Sequence, residues 1–107
     1  MADEATKKDE KQIIEVHGFS FEADLDLLDD VNAFAIIDRI ENKGQIAAIV
    51  PLLNFLVGEE ETAKMQEYFV ELDRKEHEGE KNYRARMRIE KLNDVYMAII
   101  EKYNPKG

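Results

Sequence analysis

The chain has 107 residues with 24 acidic and 15 basic side chains, a formal net charge of -9 and no cysteine. That length fits one domain, and a hydrophobic fraction of 44% is too apolar for a disordered chain. The composition excludes disulfides, thiolate catalysis and cysteine-ligated metal sites, and the acidic surface disfavours nucleic acid and anionic membranes as partners.

Residues 1–11, MADEATKKDEK, are polar and non-periodic and read as a disordered tail with no signal-peptide core. The expected location is cytoplasmic. From residue 12 the pattern changes. Ile14, Val16, Phe19 and Phe21 alternate with Glu15 and Ser20 around His17-Gly18, which predicts a short hairpin, although Asn-Gly or Asp-Gly is the preferred turn pair. Asp24, Asp26, Asp29 and Asp30 then precede an apolar run. Carboxylates in that place cap a helix start, so a first helix is expected from Leu25 or Leu27 to Asn42. Its apolar face would hold Leu27, Leu28, Val31, Phe34, Ala35, Ile37 and Ile40. Asn42-Lys43-Gly44 is a stop signal.

Residues 45–57, QIAAIVPLLNFLV, are apolar almost all round and too short to span a bilayer. Pro51 splits them into a short turn and a second helical piece ended by Gly58. Glu59, Glu60 and Glu61 open the next helix, whose stripe is Met65, Tyr68, Phe69 and Leu72. Residues 73–82 carry no large apolar side chain and read as a solvated linker or a frayed helix end. A last helix is expected from Asn82, with the stripe Ala85, Ile89, Leu92, Val95, Tyr96, Ile99, Ile100 and Tyr103, and Pro105 ends it. The fold class is therefore mostly α (α+β), a hairpin and then about four helices. The domain covers 12–103 and a tail covers 104–107.

Chemistry-bearing motifs fail one by one. His17 and His77 are the only histidines and have no partner at ligand spacing. Asp24 and Asp26 fill positions one and three of a calcium loop. However, Asp29 stands where glycine is needed and Ala35 where glutamate is needed. No phosphate loop exists among five glycines, and Thr6, Ser20 and Thr62 sit in no nucleophile motif. The expectation is a chain with no enzymatic activity, cofactor or metal.

Two surfaces are candidates for binding. Arg84, Arg88 and Lys91 fall at i, i+4, i+7 with Arg86 nearby. They make either a docking face for an acidic segment or a solvated face with local pairs such as Arg86–Glu90. Leu52, Phe55 and Leu56 with Tyr96, Ile99, Ile100 and Tyr103 either line a groove for an amphipathic helix or form the core.

The order of elements, IIEVHGFSFEAD, LDLLDDVNAFAIIDRIEN, a proline-containing apolar helix ending LVGEEE, AKMQEYFVELD, a polar gap and LNDVYMAIIEKY, resembles the tail assembly chaperones of long-tailed phages and prophages. The likeness covers about residues 12–103. It implies a non-enzymatic helper in the host cytoplasm that binds and solubilises the tape-measure protein and leaves as tail-tube subunits polymerise. It also implies self-association. In that family a longer form is often made by a ribosomal slip, and Asn104-Pro105-Lys106-Gly107 can be encoded by a heptamer X XXY YYZ, as can Thr6-Lys7-Lys8. A different class is an acidic protein-binding inhibitor or DNA-mimic decoy of a DNA-binding enzyme. Against it, the acids cluster at helix starts and alternate with Lys and Arg.

Overall fold

The computed structural model describes residues 11–103. The tail expected over 1–11 lies outside them except for Lys11, and the slip site at 104–107 lies wholly outside. Strands β1 (Gln12–Val16) and β2 (Phe19–Ala23) form the expected antiparallel hairpin, with Val16 opposite Phe19 and Ile14 opposite Phe21. His17 and Gly18 make the turn with φ of 52° and 88°, the all-positive pair that a two-residue turn matched to strand twist requires. Ile14, Val16, Phe21 and Ala23 point inward, while Ile13, Glu15, Ser20 and Glu22 point outward.

The first helical region is two pieces and not one. A 3-10 turn spans Leu25–Asp29, and α1 spans Val31–Glu41. Asp30 between them is extended, with φ -88° and ψ 145°, and its carboxylate accepts the Asn32 N–H at 2.7 Å. This N-cap restarts the helix on a new phase. The continuous stripe expected from Leu27 through Val31 to Phe34 is therefore broken. Ala33 and Ile40 face the core, and Val31 and Phe34 face solvent, 79% and 70% exposed.

A 3-10 turn at Ile46–Ala48 leads into α2 (Ile49–Val57), as the proline predicted. Pro51 is the third residue of α2, where a missing N–H costs little. Gly58, at φ 96°, ends α2, and its carbonyl accepts both the Thr62 N–H and Thr62 Oγ1. Helix α3 (Glu59–Glu76) has Glu59, Glu60 and Glu61 in its first turn and Arg74 and Lys75 in its last, both favourable to its dipole. Helix α4 (Ile89–Tyr103) closes the domain.

Helix α2 is the centre of the core. Ile49, Leu52 and Leu53 are essentially inaccessible, and α2 packs on α1, α3, α4 and β2. Met65 and Phe69 of α3 and Val95 and Ile99 of α4 complete the interior. No helix among the described residues is long and apolar enough to cross a membrane.

Candidate functional site

The residues proposed for a groove separate into three groups. Leu52, Leu56, Tyr96 and Ile99 are at most 3% exposed and belong to the core. Of the two readings open at the sequence level, these four take the core one. Phe55 and Ile100 are half-buried against the core. Tyr103 alone of the set stands well out, at 46%. Tyr96 shows what an aromatic with a polar tip needs inside a protein. Its ring is buried while its hydroxyl donates to Glu41 Oε2 at 2.5 Å. Burial first, and then this bond, push its pKa well above the ordinary tyrosine value.

The cationic residues also need correction. The last helix starts at Ile89, seven residues later than expected, so Arg84 and Arg88 precede it and share no helical face with Lys91. The Arg86–Glu90 pair at helical spacing is likewise not available. The cause is Asp73. A helix through Arg86 would give its N–H to the Asn82 carbonyl. Instead that N–H donates to Asp73 Oδ2 at 3.0 Å, and Asn82 adopts φ 67°.

Asp73 was expected in a solvated linker or a frayed helix end; it lies near the end of α3, is 4% exposed and organises the α3–α4 connection. Tyr83 Oη donates to its Oδ2 at 2.6 Å. His77 Nδ1 donates to its backbone carbonyl at 3.0 Å, and the His77 ring stacks on Tyr83 at 3.9 Å. Arg88 donates to the Tyr83 hydroxyl at 3.3 Å, and the Arg86 guanidinium lies over the Tyr83 ring at 5.3 Å. Sequence reasoning missed this cluster. The available signal was helical phase: Asp73 falls four residues after Phe69, on the buried stripe of α3, where an acid must find partners.

The Tyr83 hydroxyl bond is the main cause that lowers the Asp73 pKa below its ordinary value. Burial opposes it, and the Arg86 amide and the charges of His77 and Arg88 assist it. The same bond raises the Tyr83 pKa. The gap beside the cluster, lined by Phe69, Leu72, Asp73, Glu76, Arg88 and Lys91, has no room for a water molecule. The arrangement acts as a staple for residues 77–88. Because the folded pKa is depressed, the stabilisation is full above the unfolded value of 3.8 and disappears as pH falls through the folded one. Amide exchange should show it. The Arg86 N–H is expected to lose protection only as pH falls below 3.8, after correction for intrinsic rates, and to be poorly protected at pH 7 in Asp73→Asn. Equal protection at pH 7 in the variant would remove the staple.

The hairpin turn is a second junction. His17 Nε2 donates to Asp94 Oδ2 of α4 at 2.7 Å, the His17 ring meets Phe69 edge-on at 6.0 Å, and Tyr68 Oη donates to the His17 carbonyl at 2.7 Å. One two-residue turn thus ties the sheet to both long helices.

Away from these junctions the structure leaves apolar side chains in the open. Ile13 is 63% exposed, Met97 53%, Tyr103 46% and Ile89 70%, besides Val31 and Phe34. Ile13 belongs to a shallow groove of about 280 Å³ between β1 and α4, with Ile14, Glu15, Ala98, Glu101 and Lys102. Met97 lies beside Ala98 on α4. Tyr103 lines a neighbouring groove with Gln12, Leu25, Asp26 and Lys102. Among the described residues no group of three or more His, Asp or Glu is placed to share a metal ion. Comparison with protein-family models, with curated proteins and with solved structures finds no match.

Proposed function

We propose that this chain is a non-enzymatic, protein-binding assembly chaperone of the phage-tail type, which holds the tape-measure protein soluble in the host cytoplasm until tail-tube subunits replace it. Association with further copies of itself is part of the same reading. The observation that carries it is the exposed apolar ground along β1 and α4 of a strongly acidic domain, where Ile13 and Tyr103 line shallow grooves and Met97 stands open to water on α4. A long amphipathic client helix needs shallow apolar purchase repeated along its length, and a thioether adapts to changing side chains. Charge on the rest of the surface keeps the loaded complex apart from others. The hairpin and helix order along the chain supports the resemblance on which the client is named.

The test is co-expression with a tape-measure protein. The soluble yield of that partner is expected to rise with the wild type and to fall back with Ile13→Asp combined with Met97→Glu. Both positions are open to water, so the variant's circular dichroism should match the wild type. A folded wild type that never copurifies with the client overturns the reading.

A further inference from the structure

We propose that copies of this chain associate head to tail, the cationic segment 81–91 of one docking with its exposed Ile89 on the acidic Asp26–Asp29 shoulder of the next, beside Val31 and Phe34. The proposal deepens the self-association part of the reading above. It uses neither Ile13 nor Met97 and, although Asp26 also lines the Tyr103 groove, it is read on the chain alone with no client present, so its failure and the failure of client binding are separable.

The charge placement carries it. Lys81, Arg84, Arg86, Arg88 and Lys91, a third of the chain's 15 basic residues, fall in eleven residues that hold one acid, Glu90. The acids Asp24, Asp26, Asp29 and Asp30 fall in seven residues that hold no base. The fold sets these two segments at opposite ends. The cationic segment follows the C-terminus of α3. The acidic one abuts the N-terminal end, where the Asp24 N–H donates to the Leu56 carbonyl at 3.3 Å just before α3 begins. The 18 residues of α3 put about 27 Å between those ends.

The apolar side chains match the same division. Ile89 is 70% exposed within the cationic segment, and Val31 and Phe34 are 79% and 70% exposed in the first helical turn after the acidic one. Each end therefore offers an apolar anchor, Ile89 among mainly cationic side chains at one and Val31 and Phe34 beside acidic ones at the other. An isologous contact of either end with itself would place like charges together, whereas a contact between the two different ends pairs unlike ones and, made head to tail, leaves a free end of each kind. A chain with net charge -9 gains most from an acceptor for acid where its own cations are gathered. The contact is also salt-sensitive, because the exposed charges are screened over about 8 Å at physiological ionic strength.

Sedimentation velocity tests the proposal over a concentration series in low and high salt. The wild type is expected to form a ladder of species that collapses towards monomer in about 0.5 M salt. Lys81→Glu with Arg84→Glu, and separately Asp26→Lys with Asp29→Lys, should each be monomeric. These four side chains are exposed and stand outside the Asp73 staple and the Asp30 cap. An equimolar mixture of the two variants should restore a complex, since the first keeps a native acidic end and the second a native cationic end. If either charge variant loses its helical dichroism, Ile89→Ser on the cationic side and Val31→Ser with Phe34→Ser on the acidic side replace them and should mix in the same way. A wild type that stays monomeric in low salt overturns the proposal, even if an acidic peptide then binds segment 81–91. Association unchanged in the variants, or a mixture that restores nothing, also overturns it.

Discussion

Ile99→Asp is expected to leave the chain unfolded. Ile99 is inaccessible at the centre of α4's buried face, packed with Val95 and the α2 leucines in the core. Removing a buried Ile side chain costs roughly 2–5 kcal/mol. The aspartate must also be desolvated without a partner or take up a proton, which adds several kcal/mol. A small domain has only about 5–15 kcal/mol in total. Far-UV circular dichroism should show loss of the helical signal, or the variant should accumulate as insoluble protein. Met97→Glu, two residues away and 53% exposed, is the control and should melt as the wild type does. A folded Ile99→Asp that had lost only partner binding would return Ile99 to a groove and overturn its place in the core.

That contrast shows which parts of the sequence were readable. Local signals worked where one residue dictates its own backbone. Gly18 made the turn, Pro51 fell in the first turn of α2 and Gly58 separated α2 from α3. Periodicity worked where a helix was continuous, as at Met65 and Phe69 or Val95 and Ile99. It failed where a side chain from elsewhere claimed a backbone group. Asp30 caps α1 and so moves Val31 and Phe34 off the expected inward stripe. Asp73 takes the Arg86 N–H from thirteen residues away and so delays α4. Such contacts have no period. The candidate site suffered for the same reason, because a stripe says which residues share a face but not whether that face meets the core or a partner.

The second large effect is expected at the hairpin turn, in Gly18→Ala. At φ 88° a side chain costs roughly 1–2 kcal/mol from its backbone alone. The new methyl would also lie 2.7 Å from Tyr68 Oη. A hydroxyl at the end of a side chain can usually retreat, but this one is held. It donates to the His17 carbonyl, and its ring rests against Phe19 at 5.2 Å and edge-on to Phe69 at 5.3 Å. Moving it sacrifices a hydrogen bond of about 1 kcal/mol, so the total loss should be roughly 2–3 kcal/mol by denaturant unfolding. Tyr68→Phe tests the mechanism. Alone it removes only that bond and should cost about 1 kcal/mol. Combined with Gly18→Ala it also removes the clash, so the double variant should be more stable than the sum of the two single losses predicts, by about 1 kcal/mol. The junction with α4 should survive both changes, because it uses the His17 ring nitrogen, whereas Tyr68 holds the His17 backbone carbonyl. Strict additivity would mean that the methyl never meets Tyr68, and the loss at Gly18 would then be backbone strain alone.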